Sequence, residues 1–118
     1  MKYDLEERLI DYSLLAIKLT ENLPKSYTAQ HFTKQLIRSG SSPAFQYAEA
    51  RGAESRKDFV HKLEIGLKEL RETHVCLRMI NKKPLLIGSN IDDAISECDQ
   101  LIAIITSSIN TAIRNSKQ

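Results

Sequence analysis

Residues 35–51 read QLIRSGSSPAFQYAEAR, a run of small side chains that crosses a proline inside an otherwise helical pattern. At helical spacing Phe32, Leu36, Ser39, Pro43, Gln46 and Ala50 fall on one stripe. Arg38, Ser42, Gln46 and Glu49 form a polar stripe beside it. Pro43 removes one backbone hydrogen bond and bends the rod, while the hydroxyls of Ser39, Ser41 and Ser42 can bond freed or strained carbonyls. A kink is expected, not a stop. The small residues also allow another helix to approach closely.

Working outward, Leu5, Leu9, Tyr12, Ala16, Leu19 and Leu23 alternate four and three apart, which predicts a first helix over residues 4–22 ended by Leu23, Pro24 and Lys25. Ile10, Leu14 and Ile17 lie off that stripe, so this helix is either deeply buried or meets another chain. Ser26 or Thr28 is the expected cap of the second helix, which runs to Arg51. Ser55 followed by Asp58 resembles a capping box and starts a third helix, whose seam of Phe59, Leu63, Gly66, Leu70, Thr73, Leu77 and Ile80 reaches Asn81. Gly66 costs about 1 kcal/mol against Ala in a helix interior, which predicts a close neighbour there. Residues 81–90, NKKPLLIGSN, form the only long connection, and Leu85, Leu86 and Ile87 are expected to fold over the bundle end. Ser89 or Asn90 would cap the last helix, where Ile91, Ile95, Cys98, Ile102, Ile105, Ile109 and Ala112 keep heptad spacing and Ala94, Leu101 and Ile104 widen the face. The pattern predicts an all-α fold: an antiparallel up-down-up-down four-helix bundle with a proline-kinked second helix, one domain over residues 1–118. Leu63, Leu70, Ile95 and Ile102 should be buried.

Gln35, Arg38, Ser42 and Glu49 also carry a family pattern, as does KDFVHKLEIGLKELRE at residues 57–72 with its aromatic, Leu, small residue and Glu at set intervals. With Leu23 and Pro24 in the first loop, the chain resembles the four-helix-bundle proteins first noticed as reading frames in intervening sequences of bacterial large-subunit ribosomal RNA genes. That family is taken to include the accessory protein of diversity-generating retroelements. Gln46 stands where the family usually has Asn, and Ala50 where it usually has Gly, with Gly52 two residues later. The resemblance implies a ring-like homopentamer, and the retroelement relatives imply nucleic-acid binding.

With 118 residues, 4 Gly, 3 Pro, no Trp and 42% hydrophobic residues, the composition is that of a folded helical domain. A chain of this size buries roughly two-thirds of its unfolded surface, enough for one core. No apolar run reaches the length of a membrane span, and residues 1–22 carry Asp4, Glu6, Glu7 and Asp11 instead of the basic start of a signal peptide. A cytoplasmic protein without membrane contact is expected, with Cys76 and Cys98 as free buried thiols.

The candidates for chemistry are bland. His31, His61 and His74 with Cys76 and Cys98 show no paired metal-ligand spacing, so neither a metal nor another cofactor is expected. Glu49, Glu64, Glu69 and Glu72 lack the Glu-x-x-His pairs of di-metal bundles, and Ser39, Ser41 and Ser42 have no adjacent base. No enzymatic activity and no small-molecule substrate follow. Charge is less even. Residues 28–83 hold eleven Lys or Arg against six Asp or Glu, whereas both flanks are net acidic. Lys34, Arg51, Arg56, Lys57, Lys62, Lys68, Arg71 and Arg78, with Arg38, Lys82 and Lys83, could gather on one side and meet RNA or DNA phosphates. A mixed solvated surface is the competing reading, since the pI near 8.6 is modest and aromatics do not interleave with the charges.

Two functions of different class therefore stand. One is a self-assembling structural or adaptor protein whose interface includes the second helix, because Ile10, Leu14, Ile17, Ile104 and Ile113 exceed what one inward stripe needs. The other is a nucleic-acid-binding accessory factor using the basic side of helices two and three. Arg38, Ser42, Pro43, Gln46 and Glu49 would set register, either between copies or, through Arg38 with Glu72 or Glu49, inside one bundle.

Overall fold

The computed structural model describes residues 4–116 and contains four helices: α1 Leu5–Thr20, α2 Tyr27–Arg51, α3 Arg56–Lys82 and α4 Ser89–Ser116. Each packs antiparallel on the next and α1 closes on α4, while the diagonal pairs do not touch. The result is a four-cornered bundle of 52 × 28 × 20 Å.

The starts follow from side-chain caps. Asp4 accepts from Glu7 N–H at 3.2 Å, Ser26 from Ala29 N–H at 3.2 Å and Ser55 from Asp58 N–H at 3.0 Å. The last helix differs from expectation: it begins at Ser89, with Asp92 N–H donating to the Gly88 carbonyl, so Ser89 and Asn90 lie inside the first turn. Gly88 has φ of +124°, a conformation that excludes most other residues there. Leu85 and Leu86 pack on the core as expected, but Ile87 points outward.

Pro43 sits inside α2, which continues unbroken to Arg51. Ser39 Oγ donates to the Gln35 carbonyl at 3.0 Å and Ser41 Oγ to that of Ile37 at 2.7 Å. The whole α1 stripe from Leu5 to Leu23 is buried. In α4 the buried seam is Ile91, Ala94, Cys98, Leu101, Ile105 and Ile109. Ile95 and Ile102, expected on the seam, are only partly buried and flank it. Leu63 and Leu70 are fully buried.

The apolar core forms two successive clusters, one around Leu9, Tyr12, Leu70 and Leu101 and one around Leu19, Leu36, Leu77 and Ile91. Between them in chain order lie the buried hydroxyls of Ser13, Ser39 and Thr73, each donating to a carbonyl of its own helix. Ser13 Oγ also reaches the Gly40 carbonyl on α2 at 3.1 Å. At this waist α1 and α2 approach closely. A Cβ built on Gly40 would stand 2.9 Å from Ala16 Cβ, too near for any real pair. Gly66, which was expected to mark such an approach, faces Pro43 and Gln46 at ordinary contact distance.

Candidate interaction surfaces

Polar contacts bridge all four adjacent helix seams, and three of the four carry Arg or Lys ion pairs. Arg8 grips Glu97 through two bonds of 2.6 and 2.7 Å between α1 and α4, and Arg51 lies 3.4 Å from Glu6 between α2 and α1. His74 Nε2 meets Asp99 at 2.7 Å between α3 and α4. The richest seam is α2 with α3. Arg38 donates to both Glu72 oxygens at 3.0 Å and to Glu69 at 3.1 Å, Gln35 donates to Glu72 at 3.3 Å, and Lys62 donates to Glu49 at 3.0 Å. The bidentate Arg38 guanidinium holds the Glu72 carboxyl below its ordinary range. Burial acts first on Glu69 and raises it.

The polar stripe of α2 thus finds carboxylate and ammonium partners within its own chain. Pro43 is buried, Ser42 is half-buried, and Gln46 Oε1 is buried without a hydrogen-bond partner among the described residues.

The basic candidates separate. Lys62 and Arg51 are engaged with Glu49 and Glu6. Arg56 joins Arg51, Ser107, Ser108 and Thr111 around an open hollow at one end of the bundle. Lys34 is exposed on α2. Lys57, Lys68, Arg71 and Arg78 share the outward face of α3, exposed and with no ion pair among the described residues. Lys68, Arg71 and Arg78 follow one another along that face, while exposed Glu64 separates them from Lys57.

Beside that stripe runs a groove that the sequence reading missed. Two adjoining hollows of about 510 and 440 Å³ share Phe32, Val75 and Met79 as common walls. Val75 and Met79 are about half exposed, at 46% and 52%. Further apolar side chains of α1 and α2, Ile10, Leu14, Ile37 and Phe45, also stand in solvent. Of the surplus apolar residues named from sequence, Ile17 and Ile104 are partly buried, while Ile10, Leu14 and Ile113 are exposed. Val75 with Met79 carries the same signal as Ile10 with Leu14, exposed apolar residues about one turn apart but off the core seam.

Cys76 and Cys98 are free and buried, and burial pushes both thiols up to about 11. Cys98 Sγ donates to the Leu70 carbonyl at 3.2 Å. Among the described residues no group of three or more His, Cys, Asp or Glu is arranged to hold a metal ion, and no helix is long and apolar enough to cross a membrane.

The model of the 23S rRNA-intervening sequence proteins matches residues 2–107 of the chain. The chain belongs to that family. A crystal structure of a protein of unknown function from the S23 ribosomal protein family of Bacteroides thetaiotaomicron superposes with a TM-score of 0.83 at 24% identity, covering 90% of this chain and 98% of the other. At that identity the likeness is one of fold. A search of curated proteins finds no match.

Proposed function

We propose that this intervening-sequence protein is a non-enzymatic helical bundle that self-assembles, in a ring of about five copies, and serves in the cytoplasm as a structural or adaptor part. The supporting observation is the exposed apolar surface of α1 and α2, where Leu14 and Phe45 are 59% and 66% accessible although each core seam is already filled. The polar seam between α2 and α3 makes each bundle a stiff unit that can be repeated. Light scattering at micromolar concentration tests this reading, with a mass of several chains expected. A single-chain mass would refute it.

A second reading, binding of RNA or DNA, is favoured by one observation, the unpaired cations Lys57, Lys68, Arg71 and Arg78. The resemblance to retroelement accessory proteins points the same way. Titration with a mixed RNA pool at two salt concentrations tests it. Replacing Lys68, Arg71 and Arg78 by Gln should weaken binding uniformly across sequences and flatten its salt dependence. Equal binding by the parent and the triple variant would remove α3 from the site.

A further inference from the structure

We propose that the groove between α2 and α3 is the socket for α1 of a second copy of this chain, so that assembly runs head-to-tail through two different surfaces. The proposal rests on the self-assembly reading and assigns its interface.

Shape supports it first. The two hollows lie side by side and share the walls Phe32, Val75 and Met79. Ile10 and Leu14 are exposed one helical turn apart on α1, a spacing of about 5–6 Å between neighbouring side chains on a helix face. A pair of adjoining apolar hollows suits a pair of apolar side chains one turn apart.

Charge supports it independently. Lys68 and Arg71 rim the first hollow, and Arg78, Lys82 and Lys83 rim the second. Glu72, the acid at the rim, is already held by Arg38 and Gln35. On α1, Glu7 and Asp11 are exposed, one turn apart, beside Ile10 and Leu14. Neither carboxylate has an ion-pair partner among the described residues. Lys18, one turn beyond Leu14, ends the acidic stretch. A cation-rimmed apolar groove and an acid-flanked apolar ridge are complementary, and both are on this chain.

The placement of the two surfaces sets the symmetry. The groove lies on the α2–α3 side. The Ile10–Leu14 ridge lies on the outer face of α1, next to the side on which Ser13 meets Gly40. α2 touches both α1 and α3, and these do not touch each other, so the two sides are neighbours around the bundle. Two different surfaces on neighbouring sides of the bundle make the contact head-to-tail, the type of contact that generates a ring when its rotation closes.

Two singly blocked variants test this. Leu14→Asp spoils the ridge and keeps the groove; Val75→Asp spoils the groove and keeps the ridge. Both positions are substantially exposed, so the helical circular dichroism and melting of each variant should match the parent. By light scattering each variant alone should fall to the mass of one chain. An equimolar mixture should rise to two chains, because one intact ridge meets one intact groove. Asp11→Arg should likewise break assembly, and Arg71→Glu in the same chain should restore it. If the parent is oligomeric but either blocked variant keeps its mass, or the mixture stays at one chain, the docking is overturned while self-assembly survives. A monomeric parent overturns both. If both variants stay assembled and Arg71→Glu instead abolishes RNA binding, the groove belongs to nucleic acid.

Discussion

Two glycines inside helices play different parts. Gly40 sits at a close approach of α1 and α2, and a methyl group there would collide with Ala16 Cβ at 2.9 Å. Gly40→Ala should lose stability by about 1–3 kcal/mol through forced separation of the helices, despite its better helix propensity. Gly66 leaves ordinary contact distance to Gln46 Cβ, 3.5 Å, so Gly66→Ala should be neutral or gain up to about 1 kcal/mol. Urea unfolding of the pair checks both signs. The thiols make a second residue-scale prediction. Cys76 and Cys98 sit near 11 when folded, against about 8.5 for an exposed thiol. A group raised in the folded state contributes stability that is complete below its unfolded value and is lost as pH rises through the folded one. Stability should therefore decline from about pH 8.5 towards 11, and the Cys76→Ala, Cys98→Ala double variant should show a flatter alkaline decline. The buried Tyr12 hydroxyl, also raised by desolvation, acts in the same direction.

At the scale of the helix, α4 shows how a repeat can be read one step aside. Heptad spacing is satisfied equally by Ile95 with Ile102 and by Ala94 with Leu101, and only docking against α1 and α3 chooses the second pair. Leu70→Ala, in the fully buried α3 seam, should cost on the order of 2–5 kcal/mol. Ile102→Ala, on the flank, should cost less; a thermal melt in which the order is reversed would place the seam elsewhere. The α2–α3 seam carries a pH signature. Arg38 lowers the Glu72 carboxyl, so that pairing contributes above the ordinary carboxylate value of about 4.3 and is lost as pH falls through the lower folded value. Glu69, raised mainly by burial, contributes in the opposite direction. Arg38→Gln should make the drop in urea midpoint between neutral pH and about pH 3 shallower. The side chains are too exposed for a large effect.

For the whole molecule, the exposed apolar side chains of α1 and α2, the groove of Phe32, Val75 and Met79 and the basic residues of α3 exceed what a solitary bundle needs. Phe45 protrudes from α2 on the outer surface and contributes nothing to the core. Phe45→Glu should leave melting unchanged but reduce the assembled mass, whereas Ala103→Glu on the exposed face of α4 should leave the mass as it was. Equal masses for parent and Phe45→Glu would take that part of α2 out of the interface. The ring and a nucleic acid would also compete for Arg71, so RNA that binds there should lower the mass.

The four helices, the ends of the first three and the inward stripes of α1 and α3 were determined by local chemistry: caps at Ser26 and Ser55, breaks at Leu23–Pro24 and Gly52, and apolar residues three and four apart. These interactions lie within a few residues of one another, so the chain order alone carries them. The partners of the charged residues were not determined that way. Arg38 takes Glu69 and Glu72, Lys62 takes Glu49, and Arg8 takes Glu97 across separations set by helix docking. Which of eleven neighbouring cations remain unpaired is likewise a tertiary outcome. So is the groove of Phe32, Val75 and Met79, because it exists only where the faces of α2 and α3 converge and leave those side chains uncovered. Long side chains choose partners by distance in space, and that distance is decided by the packing of Gly40 on Ala16 and Gly66 on Pro43, not by position along the chain.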